Sequence, residues 1–286
     1  MRSRFFTLVL FISTAVSVWG ARVDTLAVPS KLMKKSVETI VIVPTCKKAT
    51  YPVLYLLHGH GGNARTWLGV KPELPQLADQ YGILIVCPDG NNSWYWDSPV
   101  DSTYRYETFI SHELIAYVDS HYPTHAVREA RAITGLSMGG HGAMWNAIRH
   151  TAVFGAAGST SGGVDIRPFP NNWDMAARLG SKKDNPEVWE THTVINQLDK
   201  IKNRDLALII DCGEDDFFLE VNQALHKQLL QRGIEHDFIT RPGAHNGVYW
   251  NNSIDYQLLF FSKFFKSKNL KYPDERLYAS HTRVYP

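Results

Sequence analysis

Short apolar runs rich in β-branched residues alternate along this chain with longer stretches of helical spacing, and that alternation leaves few folds open. The runs fall at residues 37–43, 53–57, 83–87, 131–134, 207–211 and 237–240. Strands without a polar face must be covered on both sides, so they read as the interior of a mostly parallel sheet flanked by helices. Between them, Tyr106, Ile110, Leu114, Tyr117 and Val118 recur at helical spacing, as do Val221, Leu225 and Leu229 ahead of Gly233, and Ile254, Leu258, Phe261 and Phe265 near the end. Most strand runs close on Gly, Pro, Asp or His, which matters because open α/β sheets carry their chemistry in the loops beyond the carboxyl ends of the strands. Residues 161–203 break the rhythm with Pro168, Pro170, Trp173, Pro186 and Trp189 among short helical pieces, and read as a cap inserted into the domain. The expected architecture is therefore one α/β domain over residues 21–286, with a helical cap. A length of 286 residues, 44% of them hydrophobic, is enough for one large core.

The first twenty residues stand apart. Arg2 and Arg4 precede an apolar run from Phe5 to Val18, and Val18-Trp19-Gly20 offers small or aliphatic residues at a cleavage position. We read residues 1–20 as a signal peptide and expect a secreted or periplasmic protein. The apolar run is shorter than the ~20 residues a bilayer crossing needs, and Ala21 offers no thiol for a lipid, so stable membrane insertion is not expected. Thirty Lys and Arg against 28 Asp and Glu leave a net charge of +2, too small for a nucleic-acid footprint. Cys46, Cys87 and Cys212 are too few, and odd in number, for a disulfide framework; they read as small hydrophobes. The triplets beginning at Asn91 and Asn251 are glycosylation sequons if the host is eukaryotic.

One motif bears chemistry directly. Gly135-Leu136-Ser137-Met138-Gly139 follows the strand run at 131–134 and opens a helical stretch through Met144 and Ile148. Alone the pattern is weak; between a strand and a helix it is the setting of a nucleophile elbow, where small residues two positions either side of the serine let neighbouring backbone pass close by. Such a turn aims the Met138 amide at a developing oxyanion. A second donor is expected after an earlier strand, and Leu57-His58-Gly59-His60-Gly61-Gly62 supplies a glycine-rich turn in that place, with the His60 amide as candidate. Neither a phosphate-binding Lys-Ser/Thr ending nor a dinucleotide glycine pattern follows.

A serine hydroxyl needs a histidine to take its proton, and the histidine needs a carboxylate to orient it. In this architecture the order along the chain is serine, acid, histidine. His245 occupies the Gly-bounded loop Gly243-Ala244-His245-Asn246-Gly247 straight after the last strand, whereas His226 lies in a helical pattern and His236 just before a strand. The acid stays open at this point among Asp211, Glu214, Asp215 and Asp216, because periodicity does not rank them. The histidines form no His-Glu-x-x-His or paired Cys-x-x-Cys arrangement, so neither metal nor cofactor is expected.

From about Val37 to Phe265 the chain resembles the esterase D family, the group containing S-formylglutathione hydrolases, secreted feruloyl and acetyl esterases, tributyrin esterases and mycolyltransferases. The resemblance is carried by residues 57–62, Pro88-Asp89-Gly90, Trp94-Tyr95-Trp96-Asp97, Tyr106-Glu107-Thr108-Phe109, Gly135–Gly140, Asp211-Cys212-Gly213-Glu214-Asp215-Asp216 and Gly243-Ala244-His245. It implies an α/β-hydrolase fold, places the catalytic acid on Asp216, and places the oxyanion donors on the backbone of His60 and Met138.

The resulting expectation is a secreted serine carboxylic ester hydrolase with the triad Ser137, His245 and Asp216. Its substrate is a small-molecule or carbohydrate ester, with acetyl or feruloyl groups on plant cell-wall carbohydrate in view. Trp94, Trp96 and Trp250 are candidate substrate-binding aromatics, a wall for a hydroxycinnamoyl ring or a sugar face. Alternatives are an acyltransferase with a sugar acceptor, a thioesterase like the S-formylglutathione hydrolases, and a catalytically silent carbohydrate-binding protein; the signal segment counts against the glutathione-thioester reading.

Overall fold

The computed structural model describes residues 20–46 and 48–268, so the expected signal segment lies outside the described residues apart from Gly20. Eight strands form one sheet: β1 (Arg22–Ser30), β2 (Lys35–Val43), β3 (Val53–Leu57), β4 (Leu84–Pro88), β5 (Arg131–Gly135), β6 (Ala156–Thr160), β7 (Ala207–Gly213) and β8 (Asp237–Arg241), in the order β1-β2-β4-β3-β5-β6-β7-β8. The β1–β2 and β2–β4 pairs are antiparallel, and every pair from β4 across to β8 is parallel. This is the sheet of the α/β-hydrolase fold.

The helices are α1 (Thr66–Val70), α2 (Leu74–Tyr81), α3 (Tyr106–Thr108), α4 (Leu114–His121), α5 (Met138–Arg149), α6 (Met175–Leu179), α7 (Pro186–Thr191), α8 (Leu219–Gln231) and α9 (Gly247–Ser267). Side chains alternate across a strand, and here both faces are dry. Val53, Tyr55 and Leu57 of β3 enter a core shared with α4, α5 and α8, while Leu54 and Leu56 enter a second core with Trp67, Leu74, Ala78 and the α9 residues Ile254, Leu258 and Phe261. Helix α5 is buried from Met138 to Ile148, because the sheet lies under it and the loop at 94–96 with the cap lies over it. The cap contains α6, α7 and a 3₁₀ segment (Val194–Lys200), and its Met175, Leu179 and Trp189 join the first core.

All six expected strands are present, with ends within two residues of the expected ones. Two others were not anticipated. In β6, Ala156-Ala157-Gly158-Ser159-Thr160 carries none of the bulk that marks a strand; it is small because α9 closes over it, and a Cβ on Gly158 would lie 2.1 Å from Gln257 Oε1. The outermost strand, β1, pairs only with β2 and leaves most of its residues in water. Cys87 on β4 and Cys212 on β7 are buried thiols separated by β3, β5 and β6; Cys46 is partly exposed, and all three are free. Of the sequon residues, Asn91 is exposed, whereas the Asn251 amide donates to Val70 O.

The tightest approach in the fold lies where β5 turns into α5 beside the end of β3. A Cβ on Gly139 would sit 2.3 Å from Leu57 O, and one on Gly135 2.6 Å from the Gly139 carbonyl and from Leu57 O, all backbone atoms. Gly139→Ala is therefore expected to destabilise by about 1–3 kcal/mol, as overpacking against rigid neighbours does. Gly69→Ala in α1, where nothing lies within 4 Å of the new methyl, should be neutral or stabilising by about 0.5–1 kcal/mol. Urea unfolding of both variants tests the contrast.

Candidate active site

Four loops meet above the carboxyl ends of β3, β5, β7 and β8, and each brings one part of the site. At the end of β5, Ser137 adopts φ 55° and ψ −118°, a conformation L-residues avoid unless their surroundings enforce it. Its own amide donates to Thr160 O at 2.9 Å, so Ser137 N–H is already used. The next amide, Met138, opens α5 and has no acceptor among the described residues.

The β7 and β8 loops are bonded to each other before either side chain is considered. Glu214 N donates to Arg241 O and Asp215 N to Gly243 O, both at 2.9 Å, and a Cβ on Gly213 would meet Gly243 O at 2.3 Å. This lacing sets Asp216 opposite His245. The His245 Nδ1–H lies 2.9 and 3.0 Å from the two Asp216 oxygens, and its Nε2 accepts from Ser137 Oγ at 2.9 Å. The Asp216 side chain is fully buried and also accepts from Phe218 N; the His245 ring is 15% exposed. A dry carboxylate on one ring nitrogen and a hydroxyl on the other fix the tautomer.

The structure separates the four acids that spacing left equal. Glu214 and Asp215 are exposed. Asp211 is buried and committed elsewhere, accepting from Tyr249 Oη and Arg241 Nη2 at 2.5 Å each. Burial pushes its carboxyl above the ordinary range despite these bonds. Tyr249 packs against Gly243, and Asn246 Oδ1 caps α9 by accepting from Tyr249 N. The Asp211–Tyr249 bond thus braces the His245 loop from behind.

The glycine-rich loop after β3 stands beside the serine: a Cβ on Gly59 would lie 3.2 Å from Ser137 Cβ. Gly59 to Gly62 make a turn closed by Gly62 N donating to Gly59 O, with Gly61 at φ 75° as a type II turn requires at its third residue. The His60 amide faces out of that turn and has no acceptor among the described residues. Beneath it, His58 donates from Nδ1 to Gly59 O and accepts at Nε2 from Gly90 N, a buried strut.

The aromatic expectation needs correction at Trp94 and Trp96. They are 1% and 0% exposed, so neither presents a face to a ligand. They stack on each other at 5.6 Å and meet His141 edge-on at 5.2 and 4.9 Å, while Trp94 Nε1 donates to Trp173 O. Burial holds the His141 imidazole neutral, with its pKa lowered to about 3. These rings pack the cap onto α5. Trp250 does lie at the site, perpendicular to His245 at 5.1 Å. Two aromatics the sequence reading passed over join it. Phe217, 51% exposed, lies 4.3 Å from the His245 ring, and Trp173 of the cap stacks on Phe217 at 5.5 Å and 18°. The available signal was an apolar residue directly after an acidic turn.

Residues 30–261 match the sequence profile of the Esterase family, and the chain belongs to that family. It is 28% identical over 262 residues to an acetyl esterase of Caldicellulosiruptor saccharolyticus, covering 82% of this chain and 96% of that one. Among solved structures, a ferulic acid esterase superposes with a TM-score of 0.74 at 28% identity, covering 86% of this chain and 100% of that one. A fluorophosphonate-binding serine hydrolase of Staphylococcus aureus shares the fold, with a TM-score of 0.75 at 21% identity over 85% of this chain and 99% of that one. The chain is thus a carboxylic ester hydrolase. Among the described residues no group of three or more His, Cys, Asp or Glu is gathered to hold a metal, and no helix is long and apolar enough to cross a membrane.

Tyr249→Phe removes one side-chain donor to a buried carboxylate and should cost about 1.5–3 kcal/mol of stability, the usual loss for a hydrogen bond to a charged group. Denaturant unfolding measures it, with Tyr256→Phe as the exposed control.

Proposed function

We propose that the protein hydrolyses esters through a triad of Ser137, His245 and Asp216. The observation that carries this reading is the unbroken hydrogen-bond chain from the Asp216 carboxylate through His245 to Ser137 Oγ, with every link at 2.9–3.0 Å. Ser137 Oγ attacks the ester carbonyl as His245 Nε2 takes its proton, and Asp216 stabilises the imidazolium that results. The tetrahedral oxyanion is received by the amides of His60 and Met138, neither of which has an acceptor among the described residues. The protonated His245 gives its proton to the departing alkoxide, leaving an acyl-enzyme. Water, deprotonated by His245, then releases the acid and restores the serine.

The rim and the relatives together support a substrate class. Phe217, Trp173 and Trp250 offer flat apolar faces beside His245, suited to a planar acyl group such as a hydroxycinnamoyl ring, while a small acetyl group needs none of them. We propose feruloyl or acetyl esters of carbohydrate, as in plant cell walls, in keeping with the acetyl esterase and ferulic acid esterase to which the chain is similar. Arg2, Arg4 and the apolar run behind them support export, to the periplasm or out of the cell.

Ser137→Ala should lower kcat/KM on an aryl acetate by about 10⁴–10⁶, the loss seen when a triad nucleophile is removed; unchanged turnover would refute the triad. Phe217→Ala should raise KM for a feruloyl ester about three- to tenfold, and for the acetyl ester less than about twofold, the range expected for one aromatic contact. Equal effects on both esters would remove Phe217 from the acyl site.

A further inference from the structure

We infer that Asp174, on the cap, is a positioning residue for the oxyanion loop: it holds the His60 turn so that the His60 amide faces the reacting carbonyl. The inference rests on the esterase reading above and adds to it a residue remote in sequence, with no place in the triad or in the oxyanion pair.

The observations converge on one cap turn. Asp174 Oδ2 accepts from His60 Nε2 at 2.9 Å and from Asn92 Nδ2 at 3.1 Å, and Asn92 Oδ1 accepts from Gly61 N at 2.8 Å. One carboxylate oxygen therefore reaches both central residues of the Gly59–Gly62 turn, His60 through its side chain and Gly61 through Asn92. These bonds pull the Asp174 carboxyl below its ordinary range, the bond from His60 foremost. The cap turn itself is in a costly conformation, with Trp173 at φ 49° and Asp174 at φ 57°, two consecutive non-glycine residues in the left-handed region. It is anchored by Trp94 Nε1 donating to Trp173 O, which explains why buried Trp94 matters without touching a ligand.

As a surface ion pair this would count for little, since the Asp174 side chain is 53% exposed and the His60 side chain 26%. Its consequence is geometric. An oxyanion donor acts only if it is aimed before the charge develops, and displacement by a fraction of an ångström is felt in the rate rather than in substrate binding. From the cap side no other hydrogen bond among the described residues restrains the His60 amide, since Gly61 has no side chain to pack and the other bonds of the turn, Gly62 N to Gly59 O and the His58 strut on Gly59 O, hold its lower side and its ends. The turn that positions the amide also carries the Trp173 ring onto Phe217, so the acyl rim and the oxyanion loop share one anchor.

The test is a double-mutant cycle between His60 and Asp174, read as kcat and KM on an aryl acetate, as affinity for an aryl boronic acid that forms a tetrahedral adduct on serine, and as the thermal unfolding midpoint. Asp174→Ala is expected to lower kcat about tenfold, part of the ~10²–10³ lost when an oxyanion donor is deleted, with KM unchanged and boronate affinity falling in step. His60→Ala should give the same loss, and the double variant no more than either single one. Asp174→Asn, which retains an acceptor oxygen, should recover most of the rate. Should Asp174→Ala fold poorly, Asn92→Ala, which cuts the link from Asp174 to Gly61, carries the comparison and is expected to lower kcat with KM unchanged. The inference is overturned if kcat holds while Ser137→Ala is inactive, if kcat and boronate affinity part company, or if the losses add. Inactivity of the wild-type protein on every ester would instead overturn the esterase reading itself.

Discussion

Everything in the site depends on how closely the β5–α5 turn is allowed to approach the end of β3. Leu57 O occupies space that a methyl at position 139 would need, and the Gly139 carbonyl occupies the space a methyl at 135 would need. That contact forces Ser137 into its left-handed conformation and starts α5 pointing at the space above the sheet. It also brings Gly59, two residues beyond β3, alongside the serine. Ser137, the helix amide behind it and the glycine-rich loop beside it are therefore one steric arrangement rather than three separate features. The motif needs glycine at both ends because backbone, which cannot yield, fills both places.

The other half of the site is assembled by hydrogen bonds. Two amides of the β7 loop bond to the β8 loop, which brings the acid and the histidine into register before they touch. Behind them, Asp211 ties β7 to Tyr249 in the first turn of α9. Above them the cap joins through Trp173 on Phe217 and Asp174 on His60, so residues far apart in sequence bear on one reacting centre. A cavity of about 530 Å³, lined by residues such as Arg128, Asp205 and Lys263, lies away from this site, near the opposite ends of the strands.

Much of this was legible in the chain. Ser137 and His245 stand out because each occupies a glycine-bounded loop directly after a strand, in the order the architecture requires, and the runs that became β3, β4, β5 and β7 are apolar on both faces. What stayed hidden was tertiary. The carboxylate that bonds His245 is one of four within six residues, and only the crossing of the β7 and β8 loops distinguishes Asp216 from Asp211; family resemblance, not spacing, pointed to it. Strand β6 was invisible because it gives up bulk to let α9 pack. Trp94 and Trp96 misled because an aromatic cluster has the same sequence whether it faces solvent or lies under a cap, whereas Phe217, the first of three apolar residues after the acidic turn, is the exposed one beside His245.

The central claim is that one serine, activated through His245, forms the acyl-enzyme. Peptide mass mapping after reaction with a fluorophosphonate measures this directly. The account predicts a single covalent adduct on Ser137, formed far more slowly in His245→Ala. An adduct on any other residue, or labelling of Ser137 at the same rate without His245, would contradict it.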